Sequence, residues 1–151
     1  MIAALALGAA TAAFAQDDVP RFVSLGSNEI NVRAGPGTRY PIAWVFVRQG
    51  LPVEIVGEFD NWRKIRDMGG AEGWIHQNLL SRGRTAIVIG GARTLMRDPE
   101  VGAVPVAVAE AGVIAQVLRC RDAWCRLQAG GHTGWLPRIY IWGVYPDEEI
   151  D

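Results

Sequence analysis

Hydrophobic and polar positions alternate over short stretches along most of this chain of 151 residues. From residue 28 onward, short runs of β-branched, aliphatic and aromatic residues are separated by Gly, Pro, Asn and Asp, and no helical period persists for a useful length. Short runs bounded by turn residues are typical of β-strands. The pattern therefore predicts an all-β protein, with about five strands in residues 28 to 82.

The order of strands and turns is written twice. The stretch EFDNWRKIRDMGGAEGWIH, residues 58 to 76, is echoed about 62 residues later by RCRDAWCRLQAGGHTGWLP, residues 119 to 137. Both copies contain an acid, a Trp that opens a charged strand, a Gly-rich turn and then Gly-Trp followed by an aliphatic residue. A repeat of this length exceeds the usual period of solenoid repeats, so it predicts two tandem small barrels.

Four segments follow from this division: an export signal in residues 1–15, a first barrel in 16–82, a second in 83–146 and an acidic tail in 147–151. The first fifteen residues are uncharged and end in Ala-Phe-Ala, which is typical of a cleaved signal. They are too short for a membrane span of about 20 residues. We expect a periplasmic or secreted protein without a membrane span after cleavage, and the alternatives are a retained anchor or an ordinary buried helix.

Side chains along a strand point alternately to its two faces, so the core can be proposed from the sequence. We expect Ile65 and Ile75 to point inward. Val53 and Ile55 are placed on one face together with Gly57.

Charge argues against nucleic acid as a partner. The net charge of the whole chain is −1, and residues 22 to 82 and 83 to 146 carry only +1 and +3. Binding to phosphate backbones depends on a concentrated positive field, which neither copy provides.

The first copy resembles a known family. NVRAGPGTRYP, RQGLPVEIVGEFDNWRKIR and GAEGWIH are similar to the motifs of bacterial SH3-like (SH3b) domains, and the similarity covers residues 24 to 82. Residues 84 to 146 match more weakly, because Thr94-Leu95-Met96 replaces Asn31-Val32-Arg33. The whole chain also resembles small exported proteins that contain two such units and end in Trp-Gly-Val-Tyr, here residues 142 to 145.

The resemblance implies two tandem SH3-like barrels that form a binding module and not an enzyme. It implies as ligand a cell-wall peptide, from peptidoglycan, or an envelope protein, and no cofactor or metal is expected. A purely structural scaffold that binds no small ligand is the alternative, since a fold alone does not determine function.

Aromatic and polar residues of the first copy are the candidates for a binding groove. Aromatic faces stack on sugars or peptide planes, while Arg and Asn hold polar groups, so such a groove suits an extended peptide. The candidate residues are Arg33, Tyr40, Asp60, Asn61, Trp62 and Trp74.

The tryptophans also admit a different interpretation. We expect Trp74 to lie on the outer face and Trp62 to point outward or to sit at a bulge. These two residues, with Trp124 and Trp135, are equally suited to pack the two barrels together, because small units have thin cores. We expect Trp44, more than these four tryptophans, to be part of the core.

Cys120 and Cys125 flank the turn of a predicted hairpin, and an even number of cysteines in an exported protein suggests a disulfide. A catalytic pair of Cys125 and His132 is the sharper alternative. It is disfavoured because both residues lie inside the barrel repeat, where no separate catalytic fold remains. A metal site that adds His76 does not match the usual spacing of structural zinc ligands.

The segment Ala34-Gly35-Pro36-Gly37 has some likeness to a phosphate-binding loop. No helix follows it and no Lys-Ser/Thr closes the motif. We interpret it as a turn in which Gly supplies unusual dihedral angles.

Overall fold

The computed structural model describes residues 19–151, and within that range it contains two seven-stranded antiparallel sheets and no α-helix. The all-β class and the tandem arrangement are therefore confirmed. The predicted export signal, residues 1–15, lies outside the described residues.

Each sheet belongs to one unit. The first unit contains β1 (Arg21–Leu25), β2 (Ile30–Arg33), β3 (Ile42–Phe46), β4 (Pro52–Phe59), β5 (Trp62–Arg66), β6 (Glu72–His76), the 3-10 helix η1 (Gln77–Leu79) and β7 (Leu80–Ser81). The second contains β8 (Thr85–Val88), β9 (Arg93–Met96), β10 (Pro105–Ala109), β11 (Ile114–Arg121), β12 (Trp124–Ala129), β13 (His132–Pro137), η2 (Arg138–Tyr140) and β14 (Ile141–Trp142).

The two sheets have the same topology. Their strand orders are β3-β2-β6-β5-β4-β1-β7 and β10-β9-β13-β12-β11-β8-β14, so each strand of the first unit has a counterpart in the second. The repeat also extends to irregular features. A bulge interrupts β4 between Ile55 and Gly57 and β11 between Val117 and Arg119, and Asp60 and Asp122 share a left-handed φ of 51° in the following turn.

Two strands of each sheet were not anticipated from the sequence. In the first unit these are β1 and the two-residue β7, which pair with each other. Strand β1 shows no alternation because Phe22 to Leu25 are all buried. One face of β1 covers the barrel core and the other face lies under the second unit, as described below.

The first core is aliphatic and confirms the predicted inward residues. Ile65 and Ile75 are fully buried, and Val53 and Ile55 lie beside them. Gly57 does not share their face, because the bulge after Ile55 shifts the register. Gly57 therefore pairs with Lys64 on the outer face of the sheet.

The second core includes a disulfide between Cys120 and Cys125, which confirms that prediction. The two residues face each other across β11 and β12, with their Cα atoms 4.1 Å apart. A loop this short gives a stabilisation of about 2 kcal/mol in the loop-entropy model. At the equivalent place in the first unit, Glu58 lies opposite Arg63, and their charged groups are 3.5 Å apart.

The end of the second unit packs against the first through aromatic rings. We call residues 142–148 the C-terminal clamp. The ring of Phe22, on β1, lies 5.0 Å from that of Trp142 and 4.7 Å from that of Tyr145, measured between centroids. Thr85 Oγ1 adds a hydrogen bond of 2.6 Å to the carbonyl of Gly50. The two units therefore contact each other through an apolar interface and are not connected by the linker alone.

Charged groups complete the clamp. Tyr145 Oη donates a 2.7 Å hydrogen bond to Glu54, a buried carboxylate that also accepts from Arg66. Arg84 holds Glu148 through two hydrogen bonds of 2.7 and 2.8 Å. Burial by itself would raise the pKa of Glu148, but the bonds from Arg84 and from the Tyr145 N–H outweigh burial and lower it.

The clamp is expected to weaken at high pH. Burial raises the pKa of Tyr145 far above its usual value, and the hydrogen bond to Glu54 raises it further. A group whose pKa is raised by folding stabilises the protein below its unfolded pKa, here about 10, and loses that contribution as the pH rises. We expect the melting temperature to fall more steeply above about pH 10 in the wild type than in Tyr145→Phe.

Thermal unfolding followed by circular dichroism across this pH range measures the difference. Tyr40→Phe serves as the control, because Tyr40 lies outside the clamp. Parallel curves for the wild type and Tyr145→Phe would contradict the assignment.

The acidic tail, residues 147–151, extends the second sheet and does not project from it. Ile150 forms a bridge with Cys120, with N–H to O distances of 2.8 and 3.1 Å.

Within residues 19–151 the structure has no helix with the length and apolarity that crossing a bilayer requires.

Candidate functional site

The predicted groove residues of the first unit lie along the outer face of its sheet. Trp74 on β6 pairs with Arg33 on β2 and with Lys64 on β5, and Trp62 pairs with His76 one step further along. Residues that face each other in register, or two positions apart on one strand, share a face. The structure thus places Arg33, Trp74 and Trp62 on one surface, which we call the outer strip.

One end of the outer strip is the loop from Ala34 to Pro41. Arg33 Nη1 donates to the carbonyl oxygens of Thr38 and Tyr40, at 3.1 and 2.9 Å, and so holds the loop closed. The Tyr40 ring lies against Gly35, where an added Cβ would be 2.5 Å from the ring. The expected unusual dihedral angles are wrong, since neither Gly35 nor Gly37 has a left-handed φ. Close approach of Tyr40 is what requires glycine here.

The other end of the strip is the turn between β4 and β5. Asp60 is exposed and adopts the left-handed conformation that the turn needs. Asn61 is joined to Gln77 of η1 by two hydrogen bonds, one from the Gln77 N–H to its carbonyl and one to its side-chain oxygen, at 2.8 and 3.1 Å. Trp62 is half-buried and meets the His76 ring edge-on at 5.4 Å. Asp60 and Asn61 therefore shape the turn, and Trp62 supplies the stacking surface.

The second unit has a cavity at the equivalent place. Its volume is about 310 Å³, and it lies between the loop after β9, the start of β12 and the turn η2. It is lined by Ala92, Arg93, Thr94, Met96, Val101, Gly102, Trp124, Leu136, Pro137 and Tyr140. The guanidinium of Arg93 lies 3.9 Å above the centre of the Tyr140 ring, which fixes one wall. We call this site the Trp124 cavity.

Sequence reasoning missed the Trp124 cavity. The second copy lacks the Asn-Val-Arg motif and therefore matches the family more weakly. Met96 and Val101 occupy the positions of Arg33 and Thr38 and make the site apolar. A usable signal was present in Pro137 and Tyr140, which frame the turn after β13. The two residues are close in sequence and follow shortly after the Gly-Trp-Leu segment of the repeat.

The four tryptophans that were candidates for packing the barrels together make no ring contact between the units in residues 19–151. Among residues 19–151, the ring contacts across the interface join Phe22 to Trp142 and Tyr145, and none involves Trp62, Trp74, Trp124 or Trp135. Trp44 is half-buried against the first core, with its ring 5.8 Å from that of Phe46.

The residues of the alternative catalytic pair are occupied or exposed. Cys125 is bonded to Cys120, so its sulfur is not a thiolate in this state. His132 is exposed at the start of β13. His76 accepts a 3.2 Å hydrogen bond from the Asn78 N–H through Nδ1 and caps η1.

The outer strip and the Trp124 cavity offer stacking, apolar contact and hydrogen bonding, which are the interactions of a binding surface.

The chain is similar to two solved structures. NlpC2 from Trichomonas vaginalis is 15% identical with a TM-score of 0.37, and the match covers 82% of this chain and 48% of that one. NlpC1 from the same organism is 15% identical with a TM-score of 0.37, and the match covers 93% and 50%. The chain spans about half the length of these proteins. A search of curated proteins returned no match.

A family model gives a direct assignment. The model of the bacterial SH3 domain matches residues 26–82 and, again, residues 94–143, which together make up most of the chain. Each matched segment lies within one unit and contains all of its sheet except β1 in the first unit, and β8 and Arg93 in the second. The segments include the outer strip and most of the lining of the Trp124 cavity. The chain therefore belongs to the bacterial SH3 domain family, in two tandem copies.

Proposed function

We propose that this protein is a non-enzymatic binding module of the cell envelope that holds an extended cell-wall peptide. The Trp124 cavity carries the proposal. A concave site of about 310 Å³ lined mainly by apolar groups, with Arg93 at its wall, is the form that small-ligand and peptide sites take. The periplasmic or secreted location is part of the proposal and rests on the uncharged segment at the start of the chain.

The chemistry of the two copies suits different parts of one ligand. The Trp124 cavity receives an aliphatic side chain or methyl group, because Met96, Leu136 and Pro137 provide apolar contact there. The outer strip of the first unit offers Arg33 and Trp74, which bind polar groups and a flat peptide plane. A peptide of small side chains and carboxylates contacts surfaces of both kinds.

Binding to isolated peptidoglycan sacculi tests the proposal. We expect the mature protein to sediment with sacculi and Trp124→Ala to bind roughly tenfold more weakly, because a large aromatic group at the centre of a contact carries much of its binding energy. Ile139→Ala is the matched control, since Ile139 is 74% exposed in the same turn as Tyr140 and does not line the cavity.

Melting temperatures of all variants are measured alongside the binding. Trp74→Ala reports separately on the outer strip. Unchanged sedimentation of Trp124→Ala and Trp74→Ala would overturn the proposed site. Absence of wild-type sedimentation would favour the second candidate, an envelope scaffold that binds no small ligand.

A specific observation favours that second candidate. Among residues 19–151, the edge strands β3 and β10 expose aliphatic side chains to solvent, as the next subsection describes. Such edges suit contact with a protein better than contact with a small ligand.

A further inference from the structure

Within the described residues, each sheet ends in two strands that are bonded on one side only. At one end these are the two-residue strands β7 and β14. At the other end they are the longer edge strands β3 and β10, whose neighbours are β2 and β9. The outer row of backbone N–H and C=O groups of an edge strand is available to another strand. The two edges occupy equivalent places in the repeat.

Both edges expose aliphatic side chains. On and beside β3, Ile42, Val45 and Val47 are 48%, 42% and 75% exposed. On and beside β10, Val104, Val106 and Val108 are 51%, 40% and 64% exposed. Neither stretch contains a charge, although inserted charges are the usual protection of an edge strand. Exposed apolar edges of this kind mark contact surfaces.

The charges that bracket the two edges are opposite in sign. Arg39 and Arg48 flank β3, whereas Glu100 and Glu110 flank β10, and all four residues are exposed. Among residues 19–151, none of the four makes an ion pair, and Arg39 contacts only its neighbour Tyr40, through the ring and a 3.1 Å hydrogen bond. A basic-flanked edge and an acidic-flanked edge attract each other.

We propose that copies of this chain join head to tail, with β10 of one copy pairing with β3 of the next. Antiparallel pairing over the full length of both strands places Ile42 opposite Ala109 and Phe46 opposite Pro105. Arg39 then lies within two residues of the position opposite Glu110, and Arg48 within three residues of the position opposite Glu100, so each basic flank meets an acidic one. Pro105 begins its strand, a position where the missing N–H removes at most one donor from the ladder.

Charge disfavours the symmetric alternatives. Antiparallel pairing of β3 with itself, Ile42 opposite Phe46, brings Arg39 within one residue of Arg48, and pairing of β10 with itself brings Glu100 and Glu110 to the same end of the ladder. Like charges directly opposite each other destabilise a ladder. Head-to-tail contact is heterologous, so it produces open chains of copies unless the rotation between neighbours closes a ring.

Sedimentation velocity on the mature protein, over a range of concentrations, tests this proposal. We expect the mass of the wild type to rise with concentration, and to rise less when NaCl is raised from about 20 mM to about 500 mM, because salt screens exposed charges. Reversing the acidic edge with Glu100→Arg and Glu110→Arg leaves two basic edges. Reversing the basic edge with Arg39→Glu and Arg48→Glu leaves two acidic ones. Each double variant is expected to associate roughly tenfold more weakly.

The decisive experiment measures association in a mixture of the two double variants. Each acidic edge then finds a basic edge on the other variant, so association is expected to return, and the variant carrying all four reversals is expected to associate by itself. Circular dichroism and melting temperatures verify that each variant is folded. A wild type that stays monomeric at every concentration overturns the proposal. Double variants that associate as strongly as the wild type also overturn it, because that result indicates that one edge pairs with itself or that the copies bind through another surface.

Discussion

Gly134→Ala is expected to destabilise the protein by about 3 kcal/mol, because the added methyl group has no room. A Cβ at this position would lie 2.8 Å from Leu95 Cβ and 3.0 Å from the carbonyl oxygen of Met96. Both are atoms close to or in the backbone of β9, so a rotamer change cannot move them away. Strand β13 can approach β9 this closely only because Gly134 lacks a side chain.

Thermal and urea unfolding measure the effect, and Gly57→Ala is the matched control. Gly57 is also a strand glycine, but a Cβ there would meet only Lys64 Cβ at 3.4 Å, which is ordinary contact. We expect the control to change stability by less than about 1 kcal/mol. Equal effects at both positions would show that the loss at Gly134 comes from strand propensity and not from the clash.

The same contact explains why both copies contain Gly-Trp. In the first unit a Cβ on Gly73 would lie 2.4 Å from Val32 Cγ1 and 3.3 Å from the carbonyl oxygen of Arg33. The glycine lets β6 cross β2 closely, and the Trp that follows points outward from that crossing. Close packing of the strands therefore requires the glycine of the motif, and the Trp that follows it places its side chain on the outer face.

Arg84→Met is expected to have the second largest effect, a loss of about 2–3 kcal/mol, because charged hydrogen bonds at a partly buried site are removed together. Arg84 donates to both carboxylate oxygens of Glu148 and to the carbonyl of Gly143, and its guanidinium lies 5.9 Å from the Phe22 ring centre. Its loss leaves Glu148 without its main partner and loosens the C-terminal clamp.

Calorimetry distinguishes this prediction from a general destabilisation. The wild type is expected to unfold in one transition, whereas Arg84→Met is expected to melt roughly 10 °C lower, with the two units separating into two transitions. Arg121→Met is the control, since Arg121 is exposed at the end of β11 and lies outside the clamp. A single unshifted transition in Arg84→Met would contradict a clamp that couples the units.

The local pattern of hydrophobic and polar residues predicted the parts of the fold that depend on contacts within a single barrel. Ile65 and Ile75 were placed correctly because β5 and β6 have one buried and one solvated face, which produces alternation. Strand β1 was missed because Phe22 to Leu25 are buried on both faces, the outer one by residues about 120 positions later in the chain. Burial of Glu54 has the same origin, since its partner Tyr145 is remote in sequence.

The placement of part of the candidate site followed from the sequence, and its role in binding stays a prediction. Arg33, Trp62 and Trp74 stand out as polar and aromatic residues of the first copy, and the structure places them on one face, with Tyr40 in the loop at its end. The Trp124 cavity depends on substitutions that look like loss of a motif. Met96 in place of Arg33 removes a charge and opens an apolar site, and this effect becomes visible only when η2 carries Tyr140 to the same place.

One pair of equivalent positions shows what duplication permits. Glu58 and Arg63 attract each other across a hairpin in the first unit, and Cys120 and Cys125 are covalently joined across the same hairpin in the second. Both hairpins have the same bulge and the same left-handed Asp in the turn. One backbone design therefore accommodates an electrostatic contact in one half and a cross-link in the other.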